Sequence, residues 1–159
     1  MAGFRDHLDE TADFGTVSTG SLRDQMDAPT PLTVPVGTTI RTEELMRLLE
    51  TKPLVLSKTP MNPTIPGTIF VTLETSGNLN DEWQAALANL MSEATGGDKR
   101  RPIVVFSYSV NHWQARNLAL RLIALGYANV YWYRGGWEAW DSRDLPKAPI
   151  AAQLGLAQN

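Results

Sequence analysis

Cysteine is absent from the 159 residues. No disulfide, thiolate metal site or cysteine nucleophile is therefore available. Histidine is scarce as well. His7 and His112 are the only two, so a zinc site would need carboxylates to complete it, and no such cluster is visible in the sequence. Long apolar runs are missing: none approaches the ~20 residues needed to span a bilayer. The opening stretch MAGFRDHLDETADFG lacks the apolar segment of a secretory signal. As written the chain reads as cytoplasmic, or periplasmic if a signal peptide has been removed, with no membrane partner. A basic stripe is missing too. The net charge is −3, and residues 1–30 hold six acids against two bases while the remainder holds eleven acids against twelve bases. The acidic segment accounts for the whole negative balance, and nucleic-acid binding has nothing to rest on. No cofactor is called for.

What is present is ordinary for a single globular domain with a sizeable core: 43% hydrophobic and 19% charged residues. Residues 1–38 are rich in Asp, Thr, Ser, Pro and Gly, with Pro29, Pro31 and Pro35 close together. They read as an acidic, extended or disordered arm. In its sharper form this arm wraps the domain and pins Phe4, Phe14 or Leu22 on it. Residues 39–147 read as the folded domain and 148–159 as a tail.

Within the domain the pattern alternates. TTIRTEELMRLLE reads as a helix, with Thr42 at its N-cap and Leu45, Met46, Leu48 and Leu49 on its apolar side. The short apolar runs 53–57, 68–73, 102–107 and 129–133 read as strands, the third being the most hydrophobic and so central. Residues 80–94 and 111–126 read as helices, the second capped by Asn111 with Gln114 at the capping-box position. Residues 134–140 turn into a short last helix. Strands alternating with helices give an α/β class: three layers, with a central, mainly parallel sheet flanked by helices.

The order of these pieces and three local signatures resemble the rhodanese-like family. TIPGTIFVTL resembles its Ile-Pro-Gly segment leading into a strand. RRPIVVFS resembles the strand that delivers its catalytic loop. LALRLIALGYANVYWYRGGWEAW resembles the helix, the Gly-Tyr-x-Asn-Val turn, the next strand, the Gly-Gly pair and the closing Trp. HWQARN followed by GYANVYWYRGG is also similar to a bacterial subgroup with a Cys-Trp pair in this loop, many of whose members accompany quinoprotein alcohol oxidation and are exported. The resemblance implies a persulfide-forming Cys at the end of the central strand, cradled by loop N–H groups and the next helix's positive end. Aligned by the strand, that position is Ser107; aligned by the helix, it is Ser109. Neither is Cys, and the family's loop Arg has no counterpart between 107 and 113. A serine hydroxyl is a far poorer sulfur acceptor than a thiolate, so the resemblance implies a degenerate domain without sulfurtransferase activity, a pseudoenzyme. Had either serine been introduced in place of a natural cysteine, the reading would reverse to an active thiosulfate sulfurtransferase.

Three uses of the loop compete. In an open parallel sheet the crevice lies at the carboxyl ends of the strands. Lys58 and Arg134 there, with Ser107, Tyr108, Ser109, Val110, Asn111, His112 and Trp113, outline a receptor for a small oxyanion; alternatively both cations are simply solvated. Ser107 or Ser109 with His112 outlines a hydrolase, without an elbow motif or a placed acid. Trp113 and Trp137 outline a surface for a protein partner, since Trp140 and one of Trp132 and Tyr133 belong to the core.

Overall fold

A computed structural model of the chain describes residues 9–155. The domain is a six-stranded sheet in the order β1-β5-β4-β2-β3-β6, with every neighbouring pair parallel. In chain order the elements are β1 (Thr38–Ile40), α1 (Thr42–Leu49), β2 (Leu54–Ser57), β3 (Thr68–Val71), α2 (Glu82–Thr95), β4 (Ile103–Phe106), α3 (Gln114–Ala124), β5 (Val130–Tyr133), α4 (Gly136–Ser142) and β6 (Ala152–Leu154).

Side chains alternate across a strand, and here the alternation sorts the core into two halves. Leu54 and Leu56, Ile103 and Val105, and Val130 and Trp132 pack with Leu87 and Met91 of α2 and Leu118 and Leu122 of α3. Val55, Val104, Phe106 and Tyr133 pack with Leu45 of α1 and Ala139 and Trp140 of α4. Helices thus cover both faces, and the three-layer α/β architecture read from the sequence is the observed one. No helix of the described residues is long and apolar enough to cross a membrane.

Five local expectations change. The helix after β1 starts one residue earlier than expected: Arg41 flanks it, Glu44 accepts the Arg41 N–H at 2.9 Å, and Thr42 is already helical and buried. Met46 is 44% exposed rather than part of the buried stripe. Thr38–Ile40 is an edge strand paired with β5, not helix. The segment read as a tail supplies β6 on the other edge, paired with β3.

The fifth change is the start of α3. Asn111 and His112 lie outside the helix, which begins at Gln114. The cause is the arm. Residues 26–30 run antiparallel to the loop, with Asp27 opposite His112. The Trp113 N–H bonds to the Met26 carbonyl at 3.0 Å. Ala28 and Thr30 donate their N–H groups to the Asn111 and Val110 carbonyls, each at 3.0 Å. Main-chain groups used in this pairing are not free to open a helix.

The arm itself follows an extended course over the domain, held by buried polar side chains. Arg116 donates to the carbonyls of Thr33 (3.0 Å) and Thr19 (2.8 Å) and to the Ser18 hydroxyl (3.1 Å). Asn117 brackets Arg23, accepting its N–H and donating to its carbonyl. Glu10 accepts the N–H and hydroxyl of Thr42 at the start of α1. Leu22 packs on the core and the Phe14 ring lies 5.5 Å from the Arg134 guanidinium; Phe4 lies outside the described residues.

Candidate functional site

The sheet register sets the site. Ser57, Phe106 and Tyr133 are cross-strand partners at the carboxyl ends of β2, β4 and β5. Lys58, Ser107 and Arg134 therefore leave the sheet side by side, as the sequence suggested. Their surroundings then separate them.

Beside Ser107 is a cavity of about 210 Å³, lined by Lys58, Thr59, Pro60, Ser107, Tyr108, His112 and Gln114. Ser107 donates its hydroxyl to the His112 carbonyl at 3.3 Å. The start of α4 holds the loop from behind: the Trp137 and Glu138 N–H groups bond to the Ser107 and Tyr108 carbonyls at 3.0 and 2.9 Å. This close approach explains the Gly-Gly of the sequence. Gly136 has φ +66°, and a Cβ there would collide with the Ser107 carbonyl. Tyr108 stacks on Trp137 (centroids 5.8 Å apart, 15° between planes) and meets the His112 ring edge-on at 5.4 Å. Burial, and then the neighbouring Glu138 carboxylate, push its phenol pKa upward.

Lys58 lines this cavity, and it also donates to the carbonyls of Val71 (2.8 Å) and Leu73 (2.5 Å), tying the end of β2 to β3. Burial lowers its pKa, with Glu74 acting in the opposite sense. A second cavity of about 430 Å³, bounded by Met26, Leu73, Glu74, Thr75 and Trp83, shares Lys58 and Gln114 as walls.

Arg134 does not reach either cavity. It is only 2% exposed. Its guanidinium donates to the Thr30 hydroxyl and carbonyl (3.0 and 3.1 Å), the Glu10 carbonyl (3.0 Å) and the Ala12 carbonyl (2.6 Å). Burial lowers its pKa, against the pull of Asp13 and Asp9. The cation expected to face an anion is spent on the arm, because four main- and side-chain oxygens of residues 10–30 arrive there first.

Trp113 is likewise covered. It is 3% exposed, donates its indole N–H to the Pro29 carbonyl at 3.3 Å, and lies about equally far from the guanidinium groups of Arg23 and Arg116, at 5.0 and 5.2 Å. Trp137 is half-buried and donates to the Pro63 carbonyl at 3.0 Å. Neither is a free aromatic surface, since the arm and the 60–63 loop occupy them.

The serine–histidine pair exists, but only His112 borders the cavity; Ser109 is turned away from it. Ser109 Oγ and His112 Nδ1 share a hydrogen bond of 2.8 Å, and Ser109 Oγ also accepts the Asn111 N–H. Ser109 is 3% exposed and does not line the cavity. The carboxylate nearest the other imidazole nitrogen is that of Asp27, 3.6 Å away and 84% exposed. This arrangement braces a tight loop; it does not present a nucleophile. Val110, fully buried, adds a carbonyl that accepts from both the N–H and the hydroxyl of Thr30.

Sequence reasoning passed over Thr59, Pro60 and Gln114 as cavity walls, and Arg116 and Asn117 as arm anchors. The signal for the last two was present: α3 is buried continuously from Ala115 to Leu122, so polar residues within it needed partners. Among the described residues no group of three His, Cys, Asp or Glu could hold a metal ion.

A family model described as "Rhodanese-like domain" matches residues 61–143, more than half of the chain. No curated protein sequence matches it. Among solved structures, the chain is similar to a polysulfide-sulfur transferase homodimer from Wolinella succinogenes (18% identity, 71% of this chain and 79% of that one, TM-score 0.48). It is also similar to a full-length protein from Lactobacillus plantarum (19%, 70% and 88%, TM-score 0.50) and to an EanB variant in complex with hercynine (16%, 82% and 34%, TM-score 0.54). At these identities the likeness is one of fold.

Proposed function

The chain belongs to the rhodanese-like domain family, and from that premise we propose that it transfers no sulfur and instead holds a small oxyanion in the cavity beside Ser107. The absence of any cysteine carries the first half. With no thiolate there is no acceptor for a sulfane sulfur. The lining of the 210 Å³ cavity carries the second half. Lys58 brings a positive charge with one ammonium proton beyond the two given to Val71 and Leu73. Ser107, Tyr108 and His112 bring polar atoms, and the positive end of the eleven-residue helix α3 begins where the loop stops. Arg134, Val110 and Trp113 take no direct part in this reading; they hold the loop from its other side. A protein-binding role through Trp113 and Trp137 has less support, since both indoles already have partners within the chain. The compartment that suits the reading is the cytoplasm, or the periplasm if a leader is removed.

The test is an NMR titration of backbone amides with sulfate, thiosulfate and phosphate. Saturable shifts at Lys58, Ser107, Tyr108, His112 and Gln114, lost in Lys58→Met, are expected. Absence of shifts at millimolar anion refutes the binding half. Thiocyanate production from thiosulfate and cyanide refutes the other half.

A further inference from the structure

The joint between arm and domain carries backbone strain. Of the three described non-glycine residues with positive φ (Val36 at +71°, Lys52 at +56° and Asp144 at +52°), only Val36 is β-branched. Such a residue strongly prefers extended backbone. Its side chain is 86% exposed, so packing does not offset the strain. The residue sits between Val34, which is buried in the core, and Gly37, whose Cα has backbone and side chains on it so closely that a Cβ would meet Val34, Ile123 and the Val130 carbonyl. The hinge is therefore short and tight. On its N-terminal side lies a segment held by specific, buried contacts: Arg134 to Glu10, Ala12 and Thr30, Arg116 to Ser18, Thr19 and Thr33, and residues 26–30 along the loop.

A segment bound to its own domain through a strained hinge has a second place to go. It can leave and occupy the identical surface on another copy, keeping every contact and letting the hinge extend. We propose that two copies of this chain exchange their arms. In the exchanged dimer the arm of one copy, residues 9–34, seats on the other, and its Met26 and Asp27 complete the wall of the second cavity and the partner position beside His112 on that other copy. The site is then built from two chains. This inference stands whether or not the 210 Å³ cavity holds an anion.

The lack of cysteine makes the test clean. Asp27 and His112 form an antiparallel bridge pair, and the bonds that flank it (Trp113 to Met26, Ala28 to Asn111) mark it as the closely spaced, non-hydrogen-bonded kind, within disulfide reach. Isotope-labelled Asp27→Cys protein is mixed with unlabelled His112→Cys protein at millimolar concentration, incubated, oxidised and digested. Exchange predicts a 27–112 disulfide joining a labelled to an unlabelled peptide. Only 27–27 and 112–112 links, or no covalent dimer, overturn it. Light scattering on the unmodified chain and on Val36→Gly gives a second readout. Relief of left-handed strain is worth about tenfold per hinge, so Val36→Gly is expected to weaken dimerisation about a hundredfold for two hinges. A chain that stays monomeric at millimolar concentration, or a Val36→Gly variant that dimerises equally well, overturns the proposal.

Discussion

Along its outer edge the 107–113 loop meets the arm: Val110, Asn111 and Trp113 give their main-chain groups to residues 26–30. Along its inner edge Ser107, Tyr108 and His112 border the 210 Å³ cavity. The two edges also divide the two cations that flank the loop. Arg134 makes four hydrogen bonds to the arm and is buried. Lys58 is only partly enclosed and stays at the cavity wall. One edge is knit to the arm by main-chain hydrogen bonds, and the other borders the cavity. Adjacent positions at the same end of one sheet can thus be enclosed or left at a cavity wall, and what decides between them is the segment that packs on each.

This contrast can be broken by removing its anchor. Arg134→Met strands the Thr30, Glu10 and Ala12 acceptors in a buried setting, and an unmade buried bond costs about 1–3 kcal/mol each when not rescued by water. A loss of roughly 3–5 kcal/mol is expected, read as a lower urea midpoint, together with rapid proteolysis within residues 9–34. Lys58→Met should cost much less and leave the arm protected. Equal losses for the two variants would erase the distinction between the edges.

Placing a thiol on each edge sharpens it. In Ser107→Cys the sulfur lines the cavity; in Ser109→Cys it is turned inward under the loop. Alkylation by iodoacetamide, and uptake of sulfane sulfur from thiosulfate followed by mass spectrometry, should both run more than about tenfold faster for the first. Comparable rates would mean that Ser109 faces the cavity after all.

Thr30→Val tests the seam at one atom. It removes the hydroxyl that donates to the Val110 carbonyl at 2.6 Å and accepts from Arg134. The expected cost is about 1–2 kcal/mol, with faster amide exchange at Thr30 and Ala28 and no change in sulfate shifts at Ser107.

On the cavity side the corresponding probe is pH. Burial lowers the Lys58 pKa, so the ammonium is present below that value and lost as the pH rises through it. Anion affinity should therefore fall several-fold toward alkaline pH, starting below the ordinary lysine range, and the alkaline fall should vanish in Lys58→Met. The smallest effect is expected for Asp27→Asn. The carboxylate is exposed and 3.6 Å from His112, and such pairs contribute within about 0.5 kcal/mol. A larger change by denaturation would make Asp27 a structural part of the seam.

The architecture was legible because its signals are local. Four apolar runs of strand length, helices with an apolar side, and glycines at their ends dictate the α/β alternation, and the register then sets Lys58, Ser107 and Arg134 in a row. The division of labour among these residues was not legible. Nothing within YRGGW says that oxygens from residues 10, 12 and 30 converge on Arg134, because that contact joins positions more than a hundred apart. A separation of 84 positions, from Trp113 to Pro29, hid the burial of Trp113 in the same way. The strand at 152–154 was missed for a different reason: three residues, two exposed and Leu154 half-buried, are too few to carry a periodicity.

Those three residues have a bearing on how the protein behaves in bulk. The sheet is flanked on one side by β1 and on the other by β6, each only three residues long. A strand that short offers too few unpaired main-chain groups to template the addition of a foreign chain. Behind β6 lies Thr-Ile-Phe-Val of β3, a β-branched and aromatic run that would be adhesive if laid bare. Residues 152–154 thus act as a fender on the sheet, and a chain trimmed after Lys147 is expected to turn its solutions cloudy on warming well before it loses its helices.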